Sequence, residues 1–171
     1  MNDSAQPARP APLSHVAPDG SARMVDVGEK PITARSASAE GFVRISADLE
    51  RAIRANTVRK GSVLEIARLA GILAAKRTDE LIPLCHTLPL EAVDVEAVLE
   101  SGRVRVTATV RTQARTGVEM EALTAVAIAC LTVIDMGKAI DNAMIIEGIR
   151  VTEKRGGRHG DYTAVPLEEG R

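Results

Sequence analysis

The sequence predicts an α+β domain in which helices cover one face of an antiparallel sheet. Apolar and other residues alternate over 93–99 and again over 104–110, and the Ser101-Gly102 turn between them predicts a hairpin. Segments 62–76 and 116–140 each open with Ser or Thr three residues before Glu and continue with closely spaced apolar residues. Such a capping box followed by an apolar run predicts a helix.

The other predicted elements are shorter. Residues 40–46 have the apolar alternation of a strand, and Ser46 can then cap a helix over 47–55. Two prolines within 81–90 disfavour a helix there and indicate a constrained connection. A last strand is expected to begin near residue 144, and no internal repeat interrupts this order of elements.

The composition favours a small-molecule ligand. Apolar residues make up 45% of the chain, yet it has one Phe, one Tyr and no Trp, so its core must be aliphatic. Base stacking on aromatic side chains is therefore not expected to be a main binding mode. The formal net charge of -1 provides no basic field for nucleic acid, and we expect no nucleic-acid partner.

The cysteines and histidines point away from disulfides and metals. Cys85 and Cys130 lie in different predicted elements without a CxxC spacing, which suits a reducing cytoplasm. The three histidines share no ligand spacing, so we expect no metal. The longest uncharged apolar stretch, 122–134, is shorter than the roughly 20 residues that span a bilayer, so no membrane association is expected.

Three regions are expected along the 171 residues. Residues 1–23 hold four of the eight prolines and no apolar run typical of a signal peptide, which predicts a flexible tail. A single domain that carries the activity is predicted over 24–163, followed by a polar tail over 164–171.

Two candidate residues lie outside the predicted helices, one just before a helix and one in the proline-containing connection. Lys60 stands just before the helix that begins after Ser62, where free N–H groups and the helix dipole favour an anion. It can hold a phosphate or donate a proton, or it can be a solvated surface lysine. His86 lies between the two prolines of the connection and can carry protons or bind phosphate, or be a satisfied structural histidine.

Further candidates lie at the two ends of the long helix. Glu119 and Glu121 open it, and Asp135 lies fourteen positions after Glu121, on roughly the same face. The capping box explains Glu119, and the helix dipole explains a lysine such as Lys138 at the C-terminal end. The dipole disfavours Asp135, so a pair of Asp135 and Lys138 near a buried helix end is a candidate acid/base couple.

Two phosphate-binding patterns are weak. Gly137-Lys138 lacks the upstream glycine of a phosphate-binding loop, because Thr132 stands there. The basic segment 154–158 can wrap a polyphosphate, although flexible basic glycine loops are common without ligands.

Three segments together resemble the cyclic pyranopterin monophosphate synthases, the MoaC family. They cover roughly residues 15–163 in the family's order: Met24-Val25-Asp26-Val27 with Lys30, Ala74–Thr78 leading to Leu81–His86, and Thr116–Ala125 followed by Asp135–Ala139. The chain departs from the family where Thr87 replaces a frequent proline and Ser62 replaces an aspartate. Serine still suits the helix N-terminus.

The resemblance implies a ferredoxin-like subunit in a homohexamer, a trimer of dimers with active sites at subunit contacts. It implies a cytoplasmic phosphorus–oxygen lyase of molybdenum cofactor biosynthesis that needs no metal or other cofactor. The implied substrate is (8S)-3′,8-cyclo-7,8-dihydroguanosine 5′-triphosphate, a cyclic dihydro-GTP that an upstream radical S-adenosylmethionine enzyme supplies. The products are cyclic pyranopterin monophosphate and pyrophosphate.

The resemblance also assigns roles by position. The catalytic residues are expected to be Asp135, Lys60 and Lys138. The substrate-binding residues are expected to be Leu84, Cys85, His86, Glu119, Met120, Glu121, Arg35 and Lys154. Our hypothesis is that the two lysines transfer protons, that Asp135 and Glu121 set their pKa values, and that cationic groups hold the triphosphate.

Two other functions are compatible with the same residues. Lys60 or Lys138 can act as a Schiff-base nucleophile, which borohydride trapping would detect. A nucleotide-binding or assembly protein without catalysis would bind nucleotide tightly and form no product, and it leaves the clustered acids unexplained.

Overall fold

The computed structural model of the protein describes residues 19–158 and 160–166. Most of the expected N-terminal tail, the end of the C-terminal tail and His159 lie outside these residues. Within the described part the chain forms five strands and four helices, with these bounds in chain order: β1 Thr33–Arg44, α1 Ala47–Arg54, α2 Val63–Ala75, α3 Thr78–Leu81, β2 Ala92–Glu100, β3 Arg103–Ala114, α4 Glu119–Gly137, β4 Ile145–Arg155 and β5 Tyr162–Thr163.

The strands form one antiparallel sheet in the order β2-β3-β1-β4-β5. Without the two-residue β5, this is the βαββαβ arrangement of a ferredoxin-like fold, with β1 and β3 in the middle. The predicted α+β class and the predicted hairpin are both confirmed, and Gly102 makes the hairpin turn at a positive φ of 71°. Short β5 was not predicted.

Strand β1 begins at Thr33, seven residues before the predicted start. The extra length has small residues, and Ala37 and Ala39 face the helices and are buried. The prediction missed this half of β1 because it relied on large apolar residues. Small side chains are needed here, since a Cβ atom on Gly41 would lie 2.7 Å from Val126 Cγ1 of α4.

Helices α2 and α4 pack side by side on one face of the sheet, as expected. Gly71 of α2 permits the contact, because a Cβ atom there would lie 2.9 Å from the backbone oxygen of Ala125 in α4. The buried core is almost entirely aliphatic, in agreement with the composition. The opposite face of the sheet is polar and includes a hydrogen bond between the Ser38 and Thr109 hydroxyl groups.

The starts of α1 and α2 were predicted at the right residues, whereas α4 begins at Glu119, three residues after the predicted cap Thr116. Two capping mechanisms were also wrong. Ser46 does cap α1, since its Oγ accepts a hydrogen bond from Leu49 N–H. The side chain of Ser62 makes no capping bond to α2, and Val118 stands at the cap position of α4. Without its capping role, Glu119 is free to pair elsewhere.

Helix α4 is long and strongly apolar. By length and composition alone it could cross a membrane, a test that the core helices of soluble proteins also pass. Here 56% of its most apolar window is buried within the protein. Its outer side is open within one chain, since Leu131 is 52% exposed. The helix ends at Gly137 and not near residue 140.

Candidate active site

The connection after α3 holds Leu84, Cys85 and His86 beside the start of α4. Cys85 N–H donates to the Ile82 carbonyl oxygen, and Thr112 Oγ1 of β3 donates to the Pro89 carbonyl oxygen over 2.6 Å. The two prolines disfavour a helix in this segment, so a tight turn within it and the hydrogen bond from β3 fix its path. The predicted constrained connection is confirmed.

Residues 24–30, which we call the strap, lie across this connection. Asp26 Oδ1 accepts from Gly28 N–H, and Lys30 N–H donates to the Val27 carbonyl oxygen, so a turn shapes the strap. The Val25 carbonyl oxygen lies 2.8 Å from His86 Nε2. A carbonyl oxygen can only accept, so Nε2 carries a proton, and in the neutral imidazole Nδ1 is left as an acceptor.

The strap, the connection and the first turn of α4 enclose a cavity of about 420 Å³. Its wall includes six of the eight expected substrate-binding residues, all except Arg35 and Lys154. The full set of lining residues is Val25, Val27, Lys30, Leu84, Cys85, His86, Leu88, Thr116, Gly117, Glu119, Met120 and Glu121.

Sequence reasoning gave no role to the strap residues of this wall. Val25, Val27 and Lys30 are half-buried, whereas Asp26 between them is exposed. The alternation of inward and outward residues is a local signal, but only the fold reveals that the inward residues face His86 and the start of α4.

Glu119 pairs with a lysine of the sheet. Lys154 Nζ of β4 lies 2.6 Å from Glu119 Oε1, and both side chains are largely shielded from solvent. The carboxylate folds back over Gly117, where a Cβ atom would lie 1.8 Å from Glu119 Oε2. Glycine at position 117 therefore leaves space for the Glu119 carboxylate. The ion pair brings together two of the expected substrate-binding residues, Glu119 and Lys154.

Glu121 is the buried acid of the cavity wall. It is 5% exposed, and its Oε2 has no hydrogen-bond partner among the described residues. Burial raises the pKa of Glu121 to about 7, and the nearby Glu119 carboxylate acts in the same direction. Burial, with the charge of Glu121, also raises the pKa of the Cys85 thiol. A carboxyl group that titrates near neutral pH can give or take a proton in either direction.

Arg35 of β1 lies next to this region but does not line the cavity. Its Nε is buried without a hydrogen-bond partner among the described residues. The loop after β4 passes over it, and a Cβ atom on Gly157, which has a φ of +100°, would lie 2.1 Å from Arg35 Nη1. The glycines of the basic segment 154–158 therefore let its backbone lie close to Arg35. A loop that covers an anion needs such a close approach of the backbone.

Lys60, Asp135 and Lys138 form a second cluster, which we call the lysine cluster, at the C-terminal end of α4. Lys60 Nζ donates to Asp135 Oδ2 over 2.7 Å and to the Asp135 carbonyl oxygen over 2.8 Å. Lys138 Nζ lies 2.9 Å from Asp135 Oδ1. The three expected catalytic residues are therefore in direct contact.

The two lysines explain how Asp135 is tolerated near a helix C-terminus. Hydrogen bonds from Lys60 and then from Lys138 lower the pKa of Asp135 to about 2. The expectation of a buried couple was wrong within one chain, because the Asp135 side chain is 57% exposed. Lys60 also offsets the negative end of the helix dipole by binding a carbonyl oxygen of the last turn.

The cavity and the lysine cluster lie far apart in one chain. Glu121 and Asp135 are fourteen residues apart on a continuous helix, which corresponds to about 21 Å along its axis. The prediction that they share a face neglected this separation along the helix. Within one protomer Glu121 therefore does not reach the two lysines, and its role in setting their pKa values stays a prediction.

Among residues 19–158 and 160–166, no group of three or more His, Cys, Asp and Glu side chains is arranged to hold a metal ion. The chemistry that these residues themselves offer is proton transfer by carboxyl, imidazole and ammonium groups, and anion binding by cations. The fold is α+β, and the two clusters suit an enzyme that transfers protons and binds an anionic ligand.

Comparison with known proteins gives the family. The model of the MoaC family matches residues 24–157, which include both the cavity and the lysine cluster. A protein of Methylobacterium sp. (strain 4-46) is 56% identical over 91% of this chain and 99% of its own length. One of Parvibaculum lavamentivorans is 52% identical over 89% of this chain and 96% of its own, and one of Streptomyces griseus is 52% identical over 88% and 85%.

All three relatives bear the name cyclic pyranopterin monophosphate synthase. The chain belongs to the MoaC family and is an enzyme of that family.

Proposed function

We propose that this protein is a cyclic pyranopterin monophosphate synthase of molybdenum cofactor biosynthesis. It converts (8S)-3′,8-cyclo-7,8-dihydroguanosine 5′-triphosphate to cyclic pyranopterin monophosphate and releases pyrophosphate. One observation carries the proposal: the match to the family model covers both clusters. The chain also aligns with nearly the whole length of a relative named cyclic pyranopterin monophosphate synthase. The substrate comes from a radical S-adenosylmethionine enzyme, and the protein works in the cytoplasm.

The groups of both clusters suit the steps of this reaction. The purine-derived ring opens and rearranges to a pyranopterin, and these steps move protons between carbon, nitrogen and oxygen. A ribose-derived hydroxyl group then attacks the α-phosphorus, so that a P–O bond to the sugar forms while the bond to the β-phosphate oxygen breaks. The attacking hydroxyl loses its proton to a base, and pyrophosphate leaves with its electron pair.

We assign the proton transfers to the lysine cluster. Lys60 and Lys138 share one carboxylate, so Asp135 holds two ammonium groups side by side with fixed geometry. When substrate displaces one of these contacts, an ammonium group can donate its proton and take it back in a later step. Asp135, with its lowered pKa, stays ionised throughout and stabilises the cationic partners.

We assign substrate binding to the cavity and to the cations beside it. Leu84, Cys85, His86 and Met120 shape the wall, and the Glu119 and Glu121 carboxyl groups are available to polar ring atoms. Arg35 supplies positive charge near the triphosphate, and Lys154 does so when substrate displaces its contact with Glu119. Glu121 is in addition a proton carrier near neutral pH because of its raised pKa.

Both clusters serve one reaction only if they come from different protomers. One reacting centre does not reach both ends of a helix segment of about 21 Å. We therefore propose that the lysine cluster of one subunit faces the cavity of another, within a homohexamer that is a trimer of dimers. Size-exclusion chromatography with light scattering, or native mass spectrometry, tests the hexamer.

The surface of α2 supports an assembly. Ile66, Leu69 and Leu73 lie three or four residues apart on its outer side, and they are 42%, 49% and 51% exposed. Leu131 of the neighbouring helix α4 is 52% exposed as well. A row of exposed aliphatic side chains on two neighbouring helices is typical of a surface that another subunit covers.

The two other candidate functions have less support. A Schiff-base nucleophile requires a free neutral amine, whereas both ammonium groups are paired with Asp135. A binding protein without catalysis gives no reason for a carboxylate shared by two lysines or for a buried unpaired carboxyl group.

The decisive experiment is anaerobic incubation of the purified protein with the cyclic dihydro-GTP, with pyrophosphate and the pterin product measured together. We expect both products to appear in equal amounts and to be lost with Lys60→Ala. Tight binding of unchanged substrate would instead support the binding protein.

A further inference from the structure

Lys30 stands at the end of the strap, where the backbone is fixed. Its own N–H donates to the Val27 carbonyl oxygen over 3.0 Å, and Asp26 stabilises the turn just before it. The contact between Val25 and His86 attaches the other end of the strap to the connection. The half-buried Lys30 side chain therefore belongs to the cavity wall and does not extend freely into solvent.

The ion pairs of the described residues distinguish Lys30 from the other lysines of the proposed site. Lys60 and Lys138 are paired with Asp135, and Lys154 is paired with Glu119. Lys30 forms no ion pair with any described residue. Of the carboxyl groups that line the cavity, Glu119 is already neutralised by Lys154, and burial favours the neutral form of Glu121. The positive charge of Lys30 is thus available to a ligand.

We propose that Lys30 binds the phosphate chain of the substrate at the cavity mouth and selects a polyphosphate over a monophosphate. The proposal rests on the proposed function and extends its binding site to the strap. An ammonium group is a compact point charge with three donors, which suits phosphate oxygens better than the neutral atoms of a pterin ring. The strap then places His86 and Lys30 so that both contact the same ligand.

The test uses ligands that do not react, so it is independent of catalysis. Titration calorimetry of the full chain measures binding of tripolyphosphate, GTP and GMP to the native protein, to Lys30→Gln and to Lys30→Arg. We expect Lys30→Gln to weaken tripolyphosphate and GTP roughly 10- to 100-fold, as loss of a charged hydrogen bond does, and GMP much less. Lys30→Arg keeps the charge and should restore most of the affinity.

Arg51→Gln is the matched control. It removes the same charge from an exposed position on α1, where Asp48 is the ion-pair partner of Arg51 among the described residues. We expect it to bind all three ligands like the native protein. If Arg51→Gln weakens tripolyphosphate as much as Lys30→Gln does, the effect is one of net charge and the proposal is overturned.

A second measurement does not depend on a variant that folds. An amine reagent modifies Lys30 of the native protein, and mass spectrometry compares the extent with and without tripolyphosphate. We expect protection of Lys30, with no protection of the exposed Lys76. Equal modification of Lys30 in both samples, or an unchanged preference for GTP over GMP in Lys30→Gln, would overturn the proposal. Failure of the synthase assay alone would leave these results standing, so the two failures are distinguishable.

Discussion

The two ends of α4 carry the same kind of group in opposite environments. At the N-terminal end Glu121 is buried without a partner, and its pKa rises to about 7. At the C-terminal end Asp135 is exposed between two lysines, and its pKa falls to about 2. One helix thus presents a carboxyl group that exchanges its proton near neutral pH and another that keeps its charge. Burial and partners, not residue type, decide which role a carboxyl group can take.

The pKa values of Glu121 and Asp135 are shifted in the opposite directions from those that the helix dipole alone would produce. The positive end of the dipole favours an ionised acid at the N-terminus, and the negative end disfavours one at the C-terminus. Desolvation overcomes the dipole at Glu121, and the Lys60 and Lys138 ammonium groups overcome it at Asp135. A short-range partner or a buried environment therefore outweighs a dipole effect of about 1 kcal/mol.

The largest effect should come from the lysine cluster. Lys60→Ala and Lys138→Ala each remove a proposed proton donor, and we expect product formation to fall about 10²- to 10⁴-fold. The assay follows pterin product and pyrophosphate under anaerobic conditions. Arg51→Ala removes a cation outside both clusters and should retain native turnover. Near-native turnover of either lysine variant as a folded protein would remove that lysine from the mechanism.

A smaller loss is expected from Asp135→Asn. The amide keeps the size of the side chain but loses the charge that holds both lysines, so we expect turnover to fall roughly 10- to 100-fold. A pH titration of the native Asp135 carboxyl group by NMR tests the same contacts directly. Since the pKa is lowered from 3.8 to about 2, the ion pairs should persist well below pH 4 and be lost as the pH falls through about 2. A titration near 4 would contradict the contacts.

Glu121→Gln should change the pH dependence of stability. The folded-state pKa of about 7 lies above the value of 4.5 expected without burial, so the folded protein binds this proton more tightly. Its contribution is fully present below pH 4.5 and is lost as the pH rises through 7. We therefore expect Glu121→Gln to melt at a higher temperature than the native protein above pH 7. A difference in melting temperature that does not vary between pH 4.5 and 8 would show that Glu121 stays ionised.

The smallest effect is expected from the ion pair between Glu119 and Lys154. Both side chains are partly exposed, so the pair should contribute no more than about 1 kcal/mol to the free energy of unfolding. Lys154→Met, Glu119→Gln and the double variant form a cycle that isolates this coupling in urea denaturation. A coupling near zero would mean that the pair serves binding alone, and one of several kcal/mol would mean that it is effectively buried.

Local pattern was sufficient for much of the fold. The hairpin, α1 with its Ser46 cap, the start of α2 and the existence of α4 follow from alternation and apolar spacing, which act over a few residues. Capping boxes were less certain, because a glutamate three residues into a helix is also free to pair with a distant cation. Glu119 does this with Lys154, a residue thirty-five positions away that only the sheet brings near.

The site was harder to predict for the same reason. The family motifs gave the residue types of both clusters, but the contact of Lys60 with Asp135 joins residues 75 positions apart. The strap is part of the cavity wall because Val25 contacts His86, and no spacing in the sequence indicates this contact. Which residues share a cavity depends on how the elements pack, and helical periodicity describes only the face of one helix.

The central claim is that the lysine cluster of one subunit completes the cavity of another. Two differently tagged variants, Lys60→Ala in the lysine cluster and Glu121→Gln in the cavity, are purified separately, found inactive, and then coexpressed so that mixed assemblies can be isolated through both tags. In random mixed assemblies about a quarter of the sites would combine an intact lysine cluster with an intact cavity, so we predict that activity returns to about that fraction of the native value. Isolated mixed assemblies without activity, or no mixed assemblies at all, would contradict a site shared between subunits.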